Sequence, residues 1–494
     1  MQIITKHWQK NPILAIFIII ATMGFQAYAY QNLTNKKSQA NYQYPFELST
    51  SKSSIGTLSK EITFYQKRIQ QHPEDGLDRA ILAKTYLKMA RTSGDNKWYT
   101  LAEKSAKESL AKLPFDNHNA LLVLAKVAEA RHDFAETIRL SNKSLQIKPD
   151  NQDALAMLAT TNLAKGEVKT ASIFANKLVD KIPTLNSFLL RALINLAQGK
   201  DKAAIEDFQS AIASEEPGEI ATSAKVRALL GRFYLSRGKY DRAKQLFEEA
   251  LRILPQYPFA LVNLAVLETE LGNYQGAEKY YAQVVSLSTE KGDKNQIHTF
   301  DRTALIGIAQ VKKLQGDISA AEKYWNRAEK SFREHSHNSD NPKGIDRMDN
   351  TIVSTYRGHK HNFNHTHDHK HDHKHKQNFG HQRDLAKLLL LRGHSQDLPE
   401  ALSLMKAEVK IRRDAETLDT LAQILYRLQH PRKAKNIYQE ILNTGIKDAK
   451  IFYRAGIIEK QLGNSEQAKT YFQQALRVNL NIERSHSLGF LTLP

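Results

Sequence analysis

The run from His359 to His381 contains His359, His361, His365, His367, His369, His371, His373, His375 and His381. Its centre reads His-Thr-His-Asp-His-Lys-His-Asp-His-Lys-His from His365 to His375. Imidazole is a borderline-soft nitrogen donor suited to Zn²⁺, Ni²⁺, Co²⁺ and Cu²⁺. Strict alternation puts every ring of an extended chain on one side, about 6–7 Å from the next. A chain free to bend then gathers several rings around one ion, in more than one register. Asp368 and Asp372 lie between the rings and can add an oxygen ligand or orient an imidazole through its second nitrogen. Lys370 and Lys374 oppose a bound cation by their charge. The pattern points to exchanging sites, as in a buffer, sensor or hand-off loop, and not to one rigid cage.

Two other readings fit the same residues. A histidine tract in a tolerant surface loop needs no metal at all. With a pKa near 6.5, the imidazoles would also turn the run strongly cationic in acid. His335, His337 and His394 flank the run and would join a site if it folds back. His118, His132, His298 and His430 stand at turns or ends of periodic segments, where solvation is the ordinary role.

No second chemistry competes with this one. There is no cysteine, which removes disulfides, thiol catalysis and Cys-based zinc or iron–sulfur sites. The sequence has no P-loop, no Gly-rich dinucleotide fingerprint, no His-Glu-x-x-His and no nucleophile elbow. Acidic pairs such as Glu215-Glu216 and Glu248-Glu249 fall at a junction or on a helix face, where carboxylates are ordinarily solvated. The expectation is a binding protein that is not an enzyme and requires no cofactor, with Zn, Ni, Co or Cu as the ions its histidine run would take.

The elements that carry this run repeat. Gly238 and Gly272, Ala243 and Ala277, Phe247 and Tyr281, and Ala434 and Ala468 are each 34 residues apart. The stretch Ala224–Tyr257 is the fullest copy. Leu230, Gly231 and Tyr234 form one helix face, Gly238 ends that helix, and Ala243, Phe247 and Ala250 form a small-large-small face on the next, which Pro255 closes. This period and pattern resemble the tetratricopeptide repeat, a helix–turn–helix unit. The resemblance implies an all-α fold, a right-handed α-solenoid of stacked repeats, here interrupted by a disordered histidine-rich loop. Further copies read at His118–Asn151, Gln152–Thr184, Leu185–Gly218, Pro258–Lys291, Arg302–His335, Gln382–Asp414, Ala415–Asp448 and Ala449–Ile482, with a first one around Gly76–Asn117.

Repeats of this family hold protein partners in a concave groove lined by the first helix of each unit, so protein partners in that groove are expected. The sixth position, which carries an Asn ladder in some members, holds Val123, Met157, Leu229, Asn263, Gly307, Thr420 and Arg454. Asn263 alone fits, so no ladder is present, and no carboxylate clamp is visible. The stretch Arg412-Arg413-Asp414-Ala415-Glu416-Thr417-Leu418-Asp419-Thr420-Leu421-Ala422, followed by Leu425-Tyr426, is similar to a C-terminal block of bacterial envelope repeat proteins. That block implies an association with transition-metal uptake or export, and so a metal transporter or metal acceptor as a partner.

At the N-terminus, Lys6 and Lys10 precede an uncharged run from Ile13 to Phe25 and then Ala27-Tyr28-Ala29. A basic start, a short apolar stretch and a small-x-small site make a secretory signal peptide, with a retained anchor as the alternative. Either outcome exports the body to the periplasm or the periplasmic face of the inner membrane. The net charge of +19 then suits an anionic membrane surface or acidic polymers better than nucleic acid. The chain divides into 1–29 signal or anchor, 30–60 linker, 61–335 first array, 336–381 histidine-rich loop, 382–482 second array and 483–494 tail. Export is expected to leave Tyr30 as the new N-terminus. Intact mass of the protein recovered from the envelope checks this, and a retained Met1 would select the anchor.

Overall fold

Each repeat is set off by local signals. The computed structural model describes residues 42–48, 54–93, 97–289, 299–338 and 382–483. Within them, side chains that cap helices recur about one repeat apart. Asn117 accepts a hydrogen bond from the Ala120 amide at 3.2 Å, and Asn151 one from Ala154 at 3.2 Å. Asp414 accepts from Thr417 at 2.9 Å and Asp448 from Ile451 at 3.0 Å. Each satisfies an amide that the first helical turn leaves unpaired.

A capping helix α1 (Ser54–Gln71) precedes ten helical hairpins. The first five are α2–α3 (Gly76–Ser93, Lys97–Lys112), α4–α5 (His118–Ala130, Phe134–Ile147), α6–α7 (Gln152–Ala164, Val168–Lys181), α8–α9 (Leu185–Ala197, Asp201–Ala213) and α10–α11 (Ile220–Ser236, Tyr240–Ile253). The rest are α12–α13 (Pro258–Leu271, Tyr274–Thr289), α14–α15 (Thr299–Leu314, Ile318–Asn338), α16–α17 (Gln382–Arg392, Leu398–Ile411), α18–α19 (Ala415–Arg427, Pro431–Leu442) and α20–α21 (Ala449–Gln461, Ser465–Val478). No strand occurs among the described residues. The all-α solenoid is therefore the fold. Of the segment 336–381, expected to be a disordered loop, residues 336–338 close α15 and residues 339–381 lie outside the described residues.

The packing follows the pattern read at Ala224–Tyr257. Ala243, Phe247 and Ala250 are fully buried, and a Cβ at Gly231 would lie only 2.7 Å from the Phe247 ring. The glycine thus admits the ring of its own hairpin, and a larger residue would have to displace it. Gly456 stands in the same relation to Phe472.

One expectation changes at the N-terminal side. The stretch 30–60 was expected to be a linker with helical order starting near Glu61. Instead α1 begins at Ser54, Leu58 and Ile62 bury against α2, and Tyr44 is 3% exposed. The Ser-, Lys- and Asn-rich composition of this stretch hides a few apolar side chains at useful spacing.

The stack is continuous across the histidine-rich interval. Leu305, Trp325 and Phe332 share one apolar cluster with Leu385, Leu389, Leu398 and Met405. The two arrays are therefore one.

The array also coils back on itself. Among the described residues, nine hairpins have a left-handed turn residue. It is glycine in seven of them (Gly166, Gly199, Gly238, Gly272, Gly316, Gly393, Gly463), and His132 and Gln429 in the other two, with φ of 59° and 62°. The turns of the earlier hairpins meet junctions of the later ones. Arg412 Nη2 donates to His132 Nε2 at 2.7 Å, and a Cβ at Gly166 would lie 2.6 Å from the Arg413 carbonyl. Gly199 abuts Gly445, Asn479 Nδ2 donates to the Ser236 carbonyl at 3.4 Å, and Lys450 pairs with Glu270 at 3.5 Å. The last three hairpins ride on the turn edge of α4–α12.

Two outcomes follow from this architecture. Since the hairpins on either side stack directly, deleting Asn341–Phe379 is expected to change stability by about 1 kcal/mol or less, because loop-closure entropy varies slowly with length. Thermal melting checks it, and a collapse would make the segment structural. The second concerns His132. Burial, with Arg412 and Arg383 beside it, lowers its pKa to about 4 from an ordinary 6.5. The folded form holds the ring neutral, so its stabilisation is complete above pH 6.5 and is lost as pH falls toward 4. Between pH 7.5 and 5.0 the wild type should lose more melting temperature than His132→Asn, which keeps a residue tolerant of left-handed backbone. Equal losses would contradict the assignment.

Candidate interaction surfaces

Charged side chains on the first helices of distant hairpins influence one another: Arg91 on α2 acts on Lys225 of α10, and Glu416 of α18 acts on Arg232 of α10. Lys225 and Arg232 on α10 and Glu416 on α18 are exposed, yet loss of water is the foremost influence on each. Each is crowded by neighbouring protein while keeping contact with water. Burial alone would raise Glu416, but Lys387, Arg383 and Arg232 outweigh it and hold the carboxyl at about 2. Lys387 Nζ lies 2.5 Å and Arg383 Nη2 3.4 Å from that carboxylate. Nearby Asp384 is shifted the other way, upward, because its burial is less fully offset by Arg383 and Lys387. The surroundings of these side chains are therefore polar and charged with both signs.

The expected ladder position is not exposed. Val123, Met157, Leu229, Asn263, Gly307, Thr420 and Arg454 are all buried in the stack. Asn263 Nδ2 donates to the Phe259 carbonyl of its own helix at 2.7 Å, and Arg454 pairs with Asp419 at 2.5 Å. The turn edge beside the groove is likewise covered by the chain's own last three hairpins.

A second surface lies where α9, α10 and α11 meet, and it is occupied. Residues Tyr42 to Glu47 lie there with alternate side chains covered: Tyr42, Tyr44 and Phe46 inward, Gln43, Pro45 and Glu47 outward. Tyr44 and Phe46 meet edge to face at 5.5 Å. The Tyr44 amide donates to Glu249 Oε1 at 2.7 Å, and Arg252 Nη2 donates to the Tyr44 carbonyl at 3.3 Å. Arg227 Nε donates to the Tyr42 carbonyl at 2.6 Å, and its guanidinium lies 5.9 Å from the Tyr44 ring centre. Burial, with Tyr234 beside it, pushes the Tyr42 hydroxyl up to about 12. Arg227 is itself fully buried and forms a two-pronged pair with Glu215, with its remaining donor contact to the Ser223 carbonyl at 3.1 Å. The sequence reading missed this site. The alternation of Tyr42, Tyr44 and Phe46 is the signal that would have found it.

The histidine run from His359 to His381 lies outside the described residues, as do His298 and the side chains of His335 and His337. Among the flanking histidines, His394 is placed. Its Nε2 lies 3.0 Å from Glu322 Oε1 and its Nδ1 3.8 Å from Asp397, whose carboxylate also accepts from Arg392 at 2.7 Å. Among the described residues no set of three metal-ligating side chains converges. No described helix is long and apolar enough to cross a membrane.

Known sequences agree with the hairpins. Models of the tetratricopeptide repeat match residues 234–289 and 449–482. The chain is 34% identical over 77 residues to the uncharacterized protein ycf37 of Pyropia yezoensis, a match covering 16% of this chain and 43% of that protein. Among solved structures, it is similar to a tetratricopeptide repeat protein of Parabacteroides merdae, at 18% identity and a TM-score of 0.37, over 50% of this chain and 93% of that one. Pseudomonas aeruginosa pilF is similar at 21% identity and a TM-score of 0.34, over 43% of this chain and 90% of its own. MamA is similar at 24% identity and a TM-score of 0.28, over 34% and 95%. With the period, the capped hairpins and the matched units together, the hairpins of this chain are tetratricopeptide repeats.

Proposed function

We propose that this protein is an exported interaction scaffold that captures divalent transition-metal ions through the histidine run and hands them to, or takes them from, a bound partner protein. Tetratricopeptide repeats support a role in protein–protein interaction. The observation that carries the metal reading is the alternation His-Thr-His-Asp-His-Lys-His-Asp-His-Lys-His from His365 to His375. Continuity of the stack on both sides supports it further, because a segment not needed to complete the core is free to serve as ligand. The leader-like N-terminus supports the periplasm, or the periplasmic face of the inner membrane, as the location. A metal transporter or metal acceptor is the partner class, and the basic balance of the chain favours contact with an anionic membrane surface. No reaction is assigned to it.

Neutral imidazole is the ligand, so binding competes with protons at a pKa near 6.5. The wild type should bind more than one Zn²⁺, Ni²⁺ or Co²⁺ ion at roughly micromolar affinity near pH 7.5 and much more weakly near pH 5.5. Ca²⁺ and Mg²⁺ prefer oxygen donors and should not compete. Cu²⁺ should bind tightest whatever the physiological ion, following the Irving–Williams order. Calorimetry on untagged protein, beside a variant with every histidine from His359 to His381 changed to Ser, checks the set. Equal binding by that variant, or none by the wild type at the higher pH, would leave an assembly scaffold with an inert histidine-rich loop.

A further inference from the structure

The strap formed by residues 42–47 occupies a groove with the features of a peptide site. The chain's backbone is read by charged side chains at three successive points: the Tyr42 carbonyl by Arg227, the Tyr44 amide by Glu249 and the Tyr44 carbonyl by Arg252. Such contacts recognise an extended main chain of any sequence, and alternate pockets for side chains then supply selectivity. Here the pockets take aromatic rings.

Comparison among the repeats singles out Arg227. Eleven residues before each left-handed turn residue stand Leu121, Leu155, Phe188, Leu261, Leu305, Gln382, Leu418 and Phe452 in the other eight hairpins of that kind. Seven of these are apolar packing residues, Leu155 and Leu305, for example, being fully buried, while Gln382 opens its helix half-buried. In the hairpin α10–α11 the same position holds a buried guanidinium instead. Burying an ion pair ordinarily brings no net stability over an apolar pair of the same volume, because both ions lose water. Arg227 and Glu215 replace packing with a donor array whose Nε points out of the pair and into the groove. An apolar residue there would pack as its counterparts do but could not read a carbonyl.

We propose that the groove lined by α9, α10 and α11 is a binding site for an extended partner segment with aromatic side chains at alternate positions, and that residues 42–47 fill it as a built-in ligand which such a segment displaces. The Tyr44 hydroxyl is buried, with no hydrogen-bond partner among the described residues. The central pocket therefore favours Phe over Tyr, since a buried unsatisfied hydroxyl is costly. A tethered strap competes at an effective concentration in the millimolar range for a short flexible connection. Occupancy by a partner thus requires release of the strap or a partner held nearby by other contacts.

The test uses the full chain with Tyr42→Ser, Tyr44→Ser and Phe46→Ser, and a fluorescent peptide of residues 41–48. Anisotropy should show the peptide binding the triple variant and binding the wild type at least about tenfold more weakly, because the tethered strap competes. A peptide with Phe at the Tyr44 position should bind at least as tightly. Adding Glu249→Ala and Arg252→Ala to the triple variant should abolish binding. If the triple variant fails to keep its helical signal, Tyr44→Ser alone serves with the same expectations. Absence of binding to a folded strap variant overturns the proposal, and so does equal binding to variant and wild type. A wild type that elutes as a dimer while the strap variant elutes as a monomer also overturns it, because the groove would then hold a second copy's strap.

Discussion

A helical hairpin of about 30 residues has two apolar faces and no interior of its own, so each repeat can be stable only by covering its neighbour. That constraint explains where residues are strict and where they are not. Phe247 must enter the space left by Gly231, and Phe472 that left by Gly456. The buried sets Ala243, Phe247, Ala250 and Ala434, Tyr438, Ile441 turn the same small-and-large pattern toward their stacks. The contacts between successive turns of the coil are of another kind. They are few and largely polar: His132 with Arg412, Lys450 with Glu270, Asn479 with the Ser236 carbonyl. A partly exposed ion pair such as Lys450 with Glu270 contributes about 0–1 kcal/mol and a hydrogen bond about 0.5–1.5, whereas full burial of one large apolar side chain contributes about 1.5–3. Stacking holds the array together, and coil-to-coil contact adds little to it.

The strap follows the opposite logic. Its enthalpic anchor is the fully buried pair of Arg227 and Glu215, which is tolerable only while the donors around it stay satisfied. The Tyr42 carbonyl supplies the acceptor for Arg227 Nε, and Glu249 joins the Tyr44 amide to Arg252. Peptide, ion pair and helix face form one network. Removal of the strap leaves charge unsatisfied in the groove, which makes the empty groove receptive to another extended chain.

How much of this was legible depends on how local each signal is. The hairpins, their turns and their caps are written within one repeat, and spacing of 34 residues exposes them. The Gly231 and Phe247 fit could be read as small facing large before any coordinates. Burial of Tyr44 could not, because the groove that receives it lies some 200 positions along the chain, as the hydrogen bond to Glu249 shows. The left-handed backbone of His132 was equally hidden. It stands one repeat before Gly166, but only the partner Arg412, remote in sequence, accounts for a histidine where most hairpins use glycine. The sixth-position residues were read as carrying no ladder, and all seven are buried in the stack.

The position of the histidine run gains meaning from the continuity of the stack. Helices α15 and α16 bracket it, and their side chains share one cluster through Phe332, Leu385 and Leu389. Elsewhere the step from one hairpin to the next takes only a few residues, as from Ile147 to Gln152. The array would close without the intervening segment, so nothing in its own core requires histidine there. On the proposed reading, attachment of the run at both ends to one scaffold raises the effective concentration of its nine imidazoles toward one another and toward whatever the scaffold holds. Among the described residues on the flanking hairpins, Arg333 pairs with Glu400, Arg392 pairs with Glu329, and His394 Nε2 lies 3.0 Å from Glu322. On the proposed reading, ions stay with the imidazoles and can leave with the partner that takes them.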